Sequence, residues 1–114
     1  MNYSKNKVSD IQIAYIGGGS RGWAWTFMTD LALDEQISGT IRLYDIDRSA
    51  AENNAVIGNR LMSREDAGGD WKFEVKNSLK EALTGCDFAV ISILPGTFDE
   101  MDSDVHLPER LGIY

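Results

Sequence analysis

The residues with the clearest chemical meaning are Gly17-Gly18-Gly19-Ser20-Arg21-Gly22, which fit G-x-G-x-x-G in full. In that pattern the first glycine permits a tight turn and the second lets backbone approach a pyrophosphate. The third lets the next helix pack close to the strand. N–H groups at the helix start then face the anion, helped by the helix dipole. A second feature follows where Asp45-Ile46-Asp47 close an apolar segment. A carboxylate in that place accepts hydrogen bonds from adenosine ribose hydroxyls and repels the 2′-phosphate of NADP, so NAD is the favoured ligand. Asp45 is preferred because it directly ends the strand; Asp47 is its rival, with helix capping as its other role. Arg21 either touches phosphate or substrate or stays solvated.

Other reactive residues form no set. His106 is the only histidine and Cys86 the only cysteine. With no second histidine or cysteine nearby, a complete transition-metal site within these residues is not expected. Cys86, at the start of an apolar strand, reads as inert packing. Asp99, Glu100, Asp102 and Asp104 lack the glycine and final glutamate of a calcium loop and read as a solvated helix face. Trp25 is expected to pack. A nucleophile elbow, a P-loop lysine and a zinc pattern are absent.

The elements that must position the loop alternate along the chain. Met1–Asp10 reads as a loose lead-in. Ile11–Ile16 is a short apolar strand. A helix follows from about Ser20 to Leu33, with Trp25, Met28, Leu31 and Ala32 on one side. Ile41–Tyr44 is a second strand. Ser49 and Glu52 form a capping-box pattern for a helix to about Arg64, whose inner stripe is Ala50, Ile57 and Leu61, flanked by Ala51, Ala55 and Met62 and interrupted by Asn54. Trp71, Phe73 and Val75 alternate with Lys72, Glu74 and Lys76 in a half-buried strand. Ser78 and Glu81 repeat the capping pattern before a short helix. Phe88–Leu94 is a near-continuous apolar run, expected of a parallel strand covered on both faces. Beyond Pro95-Gly96-Thr97 the chain reads as helical in pieces, with Pro108 opening a last turn and Gly112 closing it. This order predicts an α/β fold: a Rossmann-like parallel sheet with helices on both faces, formed by residues 11–114 as the first part of a larger fold. Ligands of such sheets bind at the carboxyl ends of the strands.

The chain has 114 residues, with 18 acids against 11 Lys and Arg and a net charge of −7. One domain is the natural size, and an acidic surface disfavours nucleic acid. A single cysteine points to a reducing compartment. No run is long and apolar enough for a signal peptide or a membrane span, so a cytoplasmic protein is expected.

Ile13-Ala14-Tyr15-Ile16-Gly17-Gly18-Gly19-Ser20, then Leu43-Tyr44-Asp45-Ile46-Asp47, then Asp87–Leu94 resemble the N-terminal region of glycoside hydrolase family four, the NAD-dependent glycosidases. The glycine and aspartate motifs are shared with lactate and malate dehydrogenases. More specific is Ile93-Leu94-Pro95-Gly96-Thr97-Phe98-Asp99-Glu100-Met101 with Asp104-Val105-His106-Leu107-Pro108-Glu109, which looks like the α-galacturonidase branch. The resemblance implies oxidation at sugar C3, loss of the C2 proton, elimination of the aglycone, hydration and reduction, with manganese stabilising the enolate. It places Gly17, Gly18, Gly19, Ser20, Arg21 and Gly22 at the pyrophosphate, Asp45 at the ribose, and Leu94 and Pro95 beside the nicotinamide. His106 and Glu109 would approach the sugar. Phosphoglycosidase members carry an arginine in the loop after the fourth strand, where this chain has Leu94-Pro95-Gly96-Thr97, so a neutral or uronic sugar is expected. The metal ligands and catalytic base of the family belong to sequence beyond Tyr114, so the chain alone is expected to be inactive. Two other readings stand beside it: the NAD-binding domain of a lactate- or malate-type dehydrogenase, and a stand-alone NAD-binding module. An incomplete sheet leaves an edge and an apolar face exposed, so a homo-oligomer is expected.

Overall fold

Apolar strands alternating with amphipathic helices bury their faces by wrapping the helices over a sheet. The computed structural model describes residues 1–113. Its elements are β1 (Asn2–Ser4), β2 (Lys7–Ile16), α1 (Trp23–Leu33), β3 (Ile37–Tyr44), α2 (Arg48–Met62), β4 (Asp70–Val75), α3 (Leu79–Leu83), β5 (Phe88–Ile91) and α4 (Phe98–Arg110). Strands β4, β3, β2 and β5 lie side by side in that order, all parallel. The chain adds strands on one side of β2 through β3 and β4, then crosses back to add β5 on the other. This reversal creates a crevice at the carboxyl end of β2, where the glycine loop sits.

Side-chain alternation assigns the faces. Ile11, Ile13, Tyr15, Ile41, Leu43, Trp71 and Phe73 share one core with Ala24, Met28 and Leu31 of α1 and Ala51 and Ala55 of α2. Arg42 lies between Ile41 and Leu43 in sequence and therefore points to the opposite face. Its guanidinium donates to the Thr84 carbonyl just past α3 and, at 2.8 Å, to Gln12 Oε1. Helices thus flank both faces, α1 and α2 on one and α3 on the other.

Several expectations change. Met1–Asp10 is not a loose lead-in: β1 pairs antiparallel with the start of β2, Asn2 opposite Ser9. A register shift between Val8 and Ile11 separates this hairpin from the parallel part of β2. Asp10 sits at that bulge with φ 58°, a conformation that aspartate tolerates better than most residues. Helix α1 begins at Trp23 rather than Ser20. Helix α2 is capped by Asp47, whose side chain accepts from the Ala50 N–H, and not by a Ser49–Glu52 box. Its buried residues are Ala51, Asn54, Ala55 and Gly58, whereas Ile57 is exposed. A one-residue error in choosing the inner stripe rotates a helix by roughly 100°, which accounts for the difference. In the second capping pattern the Ser78 hydroxyl accepts from the Glu81 N–H, but the Glu81 carboxylate takes the Asn77 N–H instead of its own cap's.

Strand β5 is the largest correction. It covers Phe88–Ile91 only, and Phe88 and Ile91 are 54% and 70% exposed. Among the described residues it has a neighbour strand on one side alone, so an apolar run was not enough to ensure burial. Helix α4 is one helix, not pieces, with Pro108 inside its last turn and no buried residue. The proline cannot supply an N–H to the last turn, and the helix ends two residues after it.

On the α3 face Lys72 and Lys76 clamp Glu74 at 2.6 and 2.8 Å. The two ammonium groups hold its carboxyl down at about 2, from an ordinary 4.5. A depressed acid stabilises the fold above its ordinary value and loses that contribution as pH falls through its native one. Glu74→Gln is therefore expected to be less stable than the parent at pH 6, with the deficit vanishing near pH 2. Urea melts at both pH values measure this, and a deficit that does not change with pH would refute it. Salt should shrink the difference, because Lys72 is exposed.

Candidate functional site

The site is built where three neighbouring strands end. Gly17 leaves β2 with φ 89°, in the left-handed region open to glycine. The Tyr44 carbonyl at the end of β3 accepts N–H bonds from Gly17 (2.9 Å) and Gly18 (3.0 Å), and the Ser20 N–H closes a turn on the Gly17 carbonyl (3.0 Å). The loop is packed from every side. A Cβ on Gly17 would lie 1.9 Å from the Ser92 carbonyl oxygen, on Gly18 2.8 Å from Leu43 Cβ, and on Gly19 2.7 Å from Ala50 Cβ. The third fingerprint glycine differs: a Cβ on Gly22 meets nothing within 4 Å. Close packing falls on Gly17, Gly18 and Gly19, while Gly22 is the N-cap of α1.

Asp45 stands at the end of β3, half-buried. Its Oδ2 accepts from the Gly19 N–H at 2.8 Å and its Oδ1 from the Asp47 N–H at 2.9 Å. Each oxygen keeps a second lone pair. Asp47 is the α2 cap: its Oδ1 accepts from the Ala50 N–H at 3.1 Å, while its side chain stands exposed beyond the strand end. Leu94 and Pro95 follow β5, whose end passes directly against Gly17. They line a hollow with Thr97, Glu100 and Met101. Asp45, the glycine loop and Leu94-Pro95 therefore lie in a row across the ends of β3, β2 and β5.

The remaining candidates stand apart. Ser20 is half-buried, and Arg21 and Trp23 are exposed. His106 and Glu109 bind each other on α4, Nδ1 to Oε2 at 2.9 Å, with Asp102 at 3.4 Å from Nε2. His106 is roughly 13 Å along the axis from the Thr97 cap at a rise of about 1.5 Å per residue. Glu100 is held in a capping box with Thr97, whose N–H lowers its pKa. Cys86 is half-buried rather than core.

One residue escaped sequence reasoning. Asn54, 2% exposed, donates from Nδ2 to the carbonyls of Gly18 (2.7 Å) and Ser20 (2.9 Å). Its Oδ1 accepts from the indole N–H of Trp25 at 2.8 Å, so Trp25 is half-exposed and tethered rather than simply packed. The signal was the polar residue that breaks the apolar stripe of α2, since a buried amide on a helix must find partners.

The strand order, the glycine turn at the crevice and the acid ending the adjacent strand define a Rossmann-like α/β domain. The family described as Family 4 glycosyl hydrolase matches residues 12–114, and the chain belongs to it. Curated relatives over its whole length include proteins named alpha-galacturonidase from Lachnoclostridium phytofermentans (66% identical) and Thermoanaerobacterium saccharolyticum (62%), and the chain spans 24% of each. A solved structure from Bacillus subtilis superposes with TM-score 0.73 and 54% identity over 94% of this chain and 24% of that one. The 6-phospho-beta glucosidase of Thermotoga maritima, solved with NAD and glucose-6-phosphate, matches 90% of this chain and 24% of its own with TM-score 0.65. At 21% identity it shares the fold. No helix among the described residues is long and apolar enough to cross a membrane.

Proposed function

We propose that the strand-end row is the NAD site of an α-glycosidase acting on a non-phosphorylated hexuronide. The observation that carries this is the glycine turn braced against Asp45, with both carboxylate oxygens retaining a lone pair for a ribose diol. The shared name of the close relatives supports the hexuronide, as does a loop after β5 with no arginine to meet a sugar phosphate. NAD held there would supply a reversible hydride acceptor for sugar C3, whose ketone form acidifies the C2 proton and permits elimination of the aglycone.

This chain's own part is to hold and orient. The Arg21 N–H and the unpaired N–H groups at the start of α1 face the pyrophosphate. Asp45 accepts from the ribose. Leu94 and Pro95 give the nicotinamide side an apolar wall. His106 and Glu109, paired on α4, are given to the sugar by the family resemblance alone, and separating them would free a carboxylate and an imidazole. Among the described residues no three His, Cys, Asp or Glu side chains converge to hold a metal ion.

The test is hydrolysis of an α-galacturonide in D2O by the complete protein that contains this chain. Deuterium at C2 of the released sugar, with turnover dependent on NAD, is the expected result. Turnover with the C2 proton retained and no response to NAD removal would sink the proposal.

A further inference from the structure

We propose that Asn54 is a positioning residue for the dinucleotide loop and that Trp25 sets its orientation; this rests on the NAD reading. An indole nitrogen only donates and a carbonyl only accepts. Trp25 Nε1 must therefore face Asn54 Oδ1, which turns both Nδ2 hydrogens toward the Gly18 and Ser20 carbonyls. The amide orientation is thus dictated by its partners. The described residues include no cis peptide bond, and in a trans peptide the N–H points opposite to the C=O. Drawing the Gly18 carbonyl inward sends the Gly19 N–H outward to Asp45, which receives it at 2.8 Å. Drawing the Ser20 carbonyl inward likewise sends the Arg21 N–H outward. Asn54 thus fixes two peptide planes of the loop: the Gly18–Gly19 plane, whose N–H is held by Asp45, and the Ser20–Arg21 plane, whose N–H is turned to the side where an anion would sit. Without it, rotation of either plane would present a carbonyl oxygen to the pyrophosphate.

NAD titration of the full chain, with thermal melts, tests this on Trp25→Phe and Asn54→Leu. Trp25 is half-exposed, so Trp25→Phe keeps a ring and loses only the orienting bond. It is expected to weaken NAD binding by about fivefold with little change in melting temperature. Asn54→Leu is expected to weaken binding by about thirtyfold or more, and adding Trp25→Phe to it should cost nothing further, because the indole acts through the amide. In the cofactor-free protein the Gly19 and Arg21 amide resonances should shift in Trp25→Phe. Parent-like NAD affinity in both single variants, or unmoved Gly19 and Arg21 resonances, would overturn the proposal. Failure of the parent itself to bind NAD would instead overturn the cofactor reading.

Discussion

Gly17→Ala is expected to lower the melting temperature by about 15 °C or more, while Gly22→Ala leaves it within a few degrees. The two glycines occupy the first and last places of one fingerprint, yet their surroundings are opposite. At Gly17 a side chain meets a backbone conformation with φ 89° and a carbonyl oxygen 1.9 Å from the new carbon. The obstacle is backbone of the strand end beside it, so no rotamer relieves the clash and either β5 or the loop must move. Left-handed strain and a displaced strand together cost about 4 kcal/mol, a large share of a typical folding free energy. At a size of roughly 100 residues each kcal/mol is worth several degrees. At Gly22 the backbone is right-handed, with φ −80° and ψ −69°, and a Cβ meets nothing within 4 Å. Alanine there trades a slightly poorer cap for a less floppy unfolded chain, for a net change under about 1 kcal/mol. Parallel melts of the two variants decide the matter. Equal losses would mean that both glycines are needed sterically.

The second large effect concerns the ligand. Asp45→Ala is expected to weaken NAD binding by about tenfold to a hundredfold and to abolish preference over NADP. Hydrogen bonds to a charged group are worth roughly 1.5–3 kcal/mol each, and about 1.4 kcal/mol is tenfold in affinity. On the proposed reading the carboxylate would also repel a 2′-phosphate by charge, so its loss is expected to help NADP while harming NAD. The variant frees the Gly19 and Asp47 N–H groups together, and some loss of stability should accompany the change. Asp47→Ala is the control. It removes the α2 cap, costs about 1 kcal/mol of stability and leaves the NAD preference intact. Calorimetric titration with both nucleotides separates the two aspartates. Retained discrimination against NADP in Asp45→Ala would defeat the ribose assignment.

How much of this was legible beforehand follows from what local sequence can specify. Glycines at Gly17 and Gly19 and an acid at Asp45 impose local backbone and charge, and they were readable as they stand. The parallel sheet with helices on its faces followed from alternation of elements. The exposure of Phe88 and Ile91 was not readable from the apolar run itself, which suggested a covered strand; it accords with the open edge expected of an incomplete sheet. Asp47 and Ser49 are both good caps two residues apart, and only the helix start chose between them. Asn54 was visible merely as a defect in a stripe, its meaning set by carbonyls more than thirty residues earlier in the chain.

Helix α4 buries none of its 13 residues, whereas Ile41 and Leu43 in the middle of the sheet are fully enclosed. A helix of that length held only by its own hydrogen bonds and a capping box is marginal in water. The segment that bears His106 and Glu109 is therefore expected to open more readily than the sheet. Whatever surface comes to cover Phe98, Met101 and Val105 would set the helicity of that segment, and with it the distance between those two side chains, without any change in the glycine loop.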